Sequence, residues 1–217
     1  RSLALISRRT PDDDIEKKLE SIRRQGAQIL TFAVDVANEA AIANVLETLE
    51  NTASPLSGVI HAAGVLADAV LVNQDWEKFE TVFRAKVYGA WNLHRLTQNY
   101  VLDHFILFSS MAAIIGPPGQ SNHAAANTFL DSLAHFRRSQ GLPALSINWG
   151  AWSEIGAAAA KGAHQNYKFG IKSFTPEEGL KALAVTLFSG QAQLAMSPVD
   201  WQAYCHQVSS PETWLAE

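Results

Sequence analysis

Apolar and polar positions along the 217-residue chain follow two alternating rhythms. Leu3 to Ile6 is a short apolar run, the pattern of a parallel strand covered on both faces. Pro11 and the Asp12–Asp14 cluster then open a helix, because acidic groups favour its positive end. Ile15, Leu19 and Ile22 recur at helical spacing, and Gly26 closes the turn. Ile29 to Val36 predicts a second strand, Ala41, Val45 and Leu49 a second helix, and Val59 to Ala62 a third strand. One long helix is predicted from Trp76 to Tyr100, then a strand over His104 to Phe108 and a helix over Gln120 to Gln140. Ala144 to Trp149 predicts a strand, Thr175 to Phe188 a helix, and Gln193 to Met196 a last strand. Strands alternating with helices of roughly 10–15 residues predict an α/β fold with a doubly wound parallel sheet.

Residues 1–204 read as one unit and 205–217 as a tail or linker. A sheet of this class that binds a dinucleotide opens with a central strand, a glycine-rich turn and a helix whose N-terminus holds the pyrophosphate. No G-x-G-x-x-G run occurs in the chain. The expectation is that this first βα unit exists in the native polypeptide ahead of Arg1, its strand lying between those read here as second and fourth. Without it, two half-sheets would present unpaired edges to one another.

Composition narrows the function. A hydrophobic fraction of 47% and a charged fraction of 18% are those of a globular domain. A formal net charge of −4 without a Lys/Arg block argues against nucleic acid as a partner. No apolar run approaches the roughly 20 residues that span a bilayer, so no membrane role is expected. Cys205 is the single cysteine, which excludes an internal disulfide and suits a reducing cytoplasm. His94, His104, His135, His164 and His206 show no paired spacing of metal ligands, and no metal is expected.

The richest stretch is SSMAAIIGPPGQSNHAAAN, Ser109 to Asn127, preceded by HAAG at His61–Gly64 and by Lys86 in FRAKVYG. Lys86, Ser110, His123 and Asn127 are spaced 24, 13 and 4 residues apart. With SRR at Ser7–Arg9, DV at Asp35–Val36, HAAGVL at His61–Leu66, AKVYGAWNLH at Ala85–His94, FSS at Phe108–Ser110 and INWGAW at Ile147–Trp152, the chain resembles the ketoreductase domains of modular type I polyketide synthases, within the short-chain dehydrogenase/reductase superfamily. The resemblance implies a Rossmann-like fold and NADPH-dependent reduction of a β-ketoacyl thioester on an acyl carrier protein, beside other synthase domains. It also implies a cofactor site formed by Ser7, Arg8, Asp35, Val36, His61, Ala62, Ala63, Gly64, Lys86 and Ser109. Arg8 follows a strand where a ribose 2′ position lies, and a guanidinium there can grip a 2′-phosphate; as bare sequence it is equally a surface charge. Asp35 implies a contact to the adenine amine; by itself it is equally a cap for the following helix. Gly64 permits close approach of cofactor to backbone.

In that family the catalytic frame holds a serine that bonds the substrate carbonyl, a tyrosine that donates the proton, and a lysine that orients the ribose and lowers the phenol pKa. An asparagine helps to fix lysine and water. Lys86, Ser110 and Asn127 match; at the tyrosine position stands His123. Hydride delivery to a ketone leaves an alkoxide that needs a proton. Imidazolium can donate it, with an unperturbed pKa of about 6.5, but a neighbouring ammonium disfavours that charged form. General acid catalysis contributes about 10²–10⁴-fold, so a weakened donor leaves partial activity. Three readings stay open: His123 donates and the domain reduces; the domain is a structural module of its synthase; or the pocket carries a non-reductive task such as epimerisation.

Three further positions bear on substrate in the resemblance. Asp68 closes LAD at Leu66–Asp68, where the family has L-D-D, and Ile115 stands eight residues before His123, where the opposite class carries tryptophan. That pair resembles the B-type, which gives the D-configured hydroxyl. Asp68 as bare sequence is equally a turn cap. Trp152 lies at the base of an alanine- and glycine-rich run, Ser153 to Gly170, that suits a substrate cover, and Trp149 reads as core. A free-standing reductase of the superfamily would carry lysine where Asn127 stands.

Overall fold

A computed structural model describes residues 2–52, 55–160 and 170–207, except the side chains of 157 and 158. Strand β1 (Ser2–Ser7) leads into helix α1 (Asp13–Arg24) and strand β2 (Gln28–Ala33). Asp12 caps α1 by accepting from the Ile15 amide at 2.9 Å; Asp13, Asp14 and Glu16 fill its first turn, Arg23 and Arg24 its last. Those charges match both ends of the helix dipole. Helix α2 (Glu39–Thr52) follows, capped by Asn38, whose side-chain oxygen accepts from the Ala41 amide at 3.1 Å. Strand β3 (Gly58–His61) then leads through a short 3₁₀ turn to helix α3 (Trp76–Phe83).

The single long helix expected from Trp76 to Tyr100 is interrupted. Residues Arg84–Tyr88 form a π-turn between α3 and helix α4 (Gly89–Thr97). Such a turn inserts an extra residue into the helical ladder and redirects the side chains it carries. Lys86 is one of them. Strand β4 (His104–Ser110), helix α5 (Ala112–Ile115), helix α6 (Ser121–Ser139) and strand β5 (Leu145–Trp149) follow. Helix α7 (Gly156–Ala160), helix α8 (Pro176–Thr186), strand β6 (Gln193–Met196) and helix α9 (Trp201–Gln207) complete the described chain. Thr175 and Glu178 form a capping box at α8, with Pro176 in its first turn. α9 runs through the expected unit boundary at 204/205 as far as Gln207, and Tyr204 is buried.

Every strand pairing is parallel, and the sheet lies in two pieces among the described residues: β1–β2, and β3–β4–β5–β6. The unpaired inner edges belong to β1 and β3, the first and third strands, and not to the second and fourth. The reason is register: β1 pairs with β2 from Ser2↔Gln28 to Ser7↔Ala33, and β3 pairs only with β4.

Helices α2, α4 and α6 cover one face of both pieces, burying Ile42, Val59, Ala90, Leu107, Leu130 and neighbours, with Ile6 of β1 packed against them. On the opposite face, Ile106, Leu145, Ile147, Trp149 and Phe174 form a second cluster under α8. Side chains alternate along a strand. Leu3, Leu5 and Ile60 therefore point to that second face, and there they are exposed.

Candidate active site

The parallel strands end on one edge, and the predicted site residues gather there. After β3, Ala62, Ala63 and Gly64 are exposed. A Cβ on Gly64 would lie 3.2 Å from Cε of Lys86, so the glycine admits the lysine stem against the loop. Gly89 closes the other side: a Cβ there would meet Cγ1 of Val36 at 2.6 Å and Cε1 of His61 at 3.1 Å. The ends of β2 and β3 thus meet the start of α4 at a glycine, and Asn92 on α4 donates to the Val36 carbonyl at 3.1 Å.

Lys86 is almost entirely buried, 6% exposed, and its Nζ donates to the Phe108 carbonyl on β4 at 2.8 Å. Burial pushes its pKa down to about 8, and the charge of Asp131 opposes the shift. His61, on the neighbouring strand, is also buried and is pushed down to about 4, first by burial and then by the Lys86 charge. Its Nε2 is buried without a hydrogen-bond partner among the described residues.

Ser110 ends β4, half-buried, with its hydroxyl accepting from the Ala112 amide at 3.1 Å. Ser109 points the other way: its hydroxyl donates to the Asn127 carbonyl at 3.2 Å and accepts from Asn148 at 3.0 Å. Only the Ser109 backbone is left for a dinucleotide. Asn127 is fully buried and donates to the His123 carbonyl at 2.7 Å, while its own side-chain oxygen is buried with no hydrogen-bond partner among the described residues. The link from Asn127 to Lys86 that the resemblance implies is not made among the described residues; Phe108 takes the ammonium instead.

His123 sits half-buried in the first turn of α6. Asn122, which the sequence reading passed over, organises this corner. It is fully buried, donates to the Ala67 carbonyl at 2.8 Å and accepts from the His123 amide at 2.7 Å. The LAD loop is thereby fixed against the turn that carries His123. A second tie runs from the Ala69 amide to the Gly119 carbonyl at 3.0 Å. Asp68 is exposed on that loop, and Ile115 ends α5 facing partly inward. No local pattern marks Asn122, because its partners lie about 50 residues upstream.

At the far end of the edge, Ser7, which ends β1, and Arg8 after it are exposed. Asp35 does not cap α2. Its carboxylate accepts from the Ala37 amide at 2.9 Å and from Arg84 at 3.1 Å, and these contacts hold its pKa low, the backbone bond foremost. Trp152 packs edge-on against Trp149 and tilted against Phe174, centroids at 5.2 and 6.3 Å, and its ring fills the space above Gly179 of α8. It is a packed wall, and Trp149 is core at 5% exposed. Of the expected cover, residues 161–169 lie outside the described residues.

Comparison with known proteins decides the family. The KR domain profile matches residues 1–154. The chain belongs to the KR domain family. It is 38% identical over 217 residues to mycoketide-CoA synthase of Mycobacterium tuberculosis, covering 97% of this chain and 5% of that protein. It is 38% identical over 202 residues to phthioceranic/hydroxyphthioceranic acid synthase of the same organism, covering 91% of this chain and 10% of that protein. An A-type ketoreductase from a modular polyketide synthase superposes with a TM-score of 0.88 at 35% identity, over 94% of this chain and 43% of that one. The chain thus spans a small fraction of its curated relatives, and its fold is the Rossmann-like fold of polyketide synthase ketoreductases.

Proposed function

We propose that this ketoreductase domain reduces a β-ketoacyl thioester, presented on an acyl carrier protein by neighbouring synthase domains, to the β-hydroxyacyl thioester with NADPH. One observation supports it above the rest. Lys86 is bonded to β4 through Phe108, and Asn127 is bonded to β4 through Ser109, so the strand that ends in Ser110 is tied to both the lysine and the α6 turn bearing His123. The residues present suit a dinucleotide. Ala62–Gly64 are exposed, Lys86 has donors beyond the one given to Phe108, and the buried His61 Nε2 has no hydrogen-bond partner among the described residues. Arg8 is exposed, with its charge near Asp35, where a guanidinium can meet a 2′-phosphate.

When bound, the nicotinamide supplies a hydride to the ketone. In this reading Lys86 holds the ribose, the Ser110 hydroxyl donates to the carbonyl oxygen, and His123 delivers the proton that neutralises the alkoxide. Asp68 and Ile115 face the acyl chain and favour the D-configured hydroxyl. Cys205, exposed and unpaired, agrees with work in the reducing cytoplasm. His123 itself favours a second reading, a structural module that no longer reduces.

Fluorescence titration of the whole synthase polypeptide with NADPH, followed by single-turnover oxidation on an acyl thioester, separates the two. Binding with oxidation supports the reductase. Binding without oxidation removes His123 as the donor, and absence of binding favours the module. His123→Tyr is expected to raise the single-turnover rate by about 10²-fold, the lower range of general acid catalysis.

A further inference from the structure

Ser110 stands at the carboxyl end of β4, and the last register pair that joins the strand to β5 is Ser110↔Trp149. Past it, the Met111 amide donates to the Trp149 carbonyl at 2.9 Å, and a side chain takes over from the ladder. That side chain is Asn148 of β5, which is fully buried. Its Nδ2 donates to the Ser110 carbonyl at 3.2 Å, to the Ser109 hydroxyl at 3.0 Å and to Oδ2 of Asp131 at 2.8 Å. An amide presents an NH₂ on one side and a carbonyl on the other, so its surroundings decide which of the two meets Ser110. Asp131 of α6 is one deciding neighbour, because a carboxylate accepts and does not donate. Its other oxygen accepts from the Ser146 hydroxyl at 2.6 Å. Gln193 of β6 agrees from the opposite side, donating to the Asn148 oxygen at 2.9 Å. The Ser109 hydroxyl, having accepted from Asn148, donates to the Asn127 carbonyl of α6 at 3.2 Å. One buried amide thus ties the end of β4 to β5, β6 and α6, and a buried network satisfied on every side holds a single geometry.

We propose that Asn148 is a positioning residue for this site: it fixes the carboxyl end of β4, and with it Ser110, against the helix whose first turn carries His123, in the orientation that Asp131 sets. The inference rests on the proposed reading in giving the ketone oxygen to Ser110 and its proton to His123. Those two groups come from different elements and act on one oxygen, so the spacing of the elements has to be held by something other than either group. Lys86 bonds the Phe108 carbonyl, two residues before Ser110, whereas Asn148 bonds the carbonyl of Ser110 itself. Asn127, the other end of the chain of bonds through Ser109, also donates to the His123 carbonyl at 2.7 Å. The path from Asn148 therefore reaches both groups without touching substrate.

The test uses the whole synthase polypeptide and two readouts. Hydrogen exchange without cofactor, read by mass spectrometry, follows residues 109–113, whose Met111 and Ala112 amides bond the Trp149 carbonyl and the Ser110 hydroxyl. Asn148→Ala is expected to speed exchange there. It is also expected to lower the maximal single-turnover rate of NADPH oxidation about tenfold with the NADPH Kd unchanged, since a misplaced reacting group costs up to about 10²-fold. Ser146→Ala takes a buried hydrogen bond from the same Asp131 and leaves Asn148 its partners, so both readouts are expected at wild-type values even where its melting temperature falls. Asp131→Asn is nearly isosteric and lets the Asn148 amide turn over. It is expected to reproduce both changes, which decides the matter where Asn148→Ala fails to fold. A folded Asn148→Ala or Asp131→Asn that keeps the wild-type exchange or rate overturns the proposal, as does an equal change in Ser146→Ala. A wild type that binds NADPH without oxidising it defeats the reductase reading instead, and the exchange readout alone then supports or overturns the hold of Asn148 on β4.

Discussion

Lys86 is an ammonium held out of water, and this has a consequence for stability that activity does not report. Its pKa falls from 10.5 in the unfolded chain to about 8 in the fold. Between those values the unfolded chain binds more protons, so stability rises with pH across that window. The cost of charging the buried amine is present in full below about pH 8, on the order of 3 kcal/mol. Lys86→Met is expected to flatten the rise in melting temperature between pH 8 and pH 10.5, measured by calorimetry at fixed ionic strength. A slope identical to that of the wild type would mean that another group causes it. The placement of Lys86 was legible as a motif, whereas its burial was not: nothing in FRAKVYG announces a π-turn that swings the lysine beneath β4.

The contact between α8 and the segment after β5 depends on a missing side chain. A Cβ on Gly179 would lie 2.2 Å from Cη2 of Trp152, so the indole occupies the volume that any other residue would claim. Gly179→Ala is expected to destabilise the domain by about 1–3 kcal/mol, the range of overpacking, seen as a lowered midpoint in denaturant. Trp152→Phe in the same chain should restore much of that loss, because a smaller ring vacates the clash. The long helix predicted from Trp76 to Tyr100 and the strand extended to Val36 failed for a related reason. Apolar periodicity reports which residues are covered; where the ladder changes pitch or pairing stops depends on neighbours distant in the chain. Gly89 against Val36 is one such neighbour.

Across the whole domain, the sheet is divided. Leu3, Leu5 and Ile60 are 49%, 41% and 59% exposed on one face, and α8 turns Leu180 and Val185 outward, followed by exposed Phe188. A strand laid between β1 and β3, with a helix behind it, would pair both edges and cover Leu3, Leu5 and Ile60. The 217 residues purified alone are therefore expected to melt with low cooperativity and to bind NADPH weakly. A sharp calorimetric transition with tight cofactor binding would refute the need for that strand. The order of strands and helices, the family motifs and the identity of Lys86, Ser110, His123 and Asn127 could be read from one dimension, because they are carried by local periodicity and short spacings. The roles of Asn122, Asn148 and Asp131, the inward turn of Ser109 and which strands carry the expected open edges could not. They come from hydrogen bonds and packing between segments tens of residues apart, and those exist once parallel strands have brought the segments to a common edge.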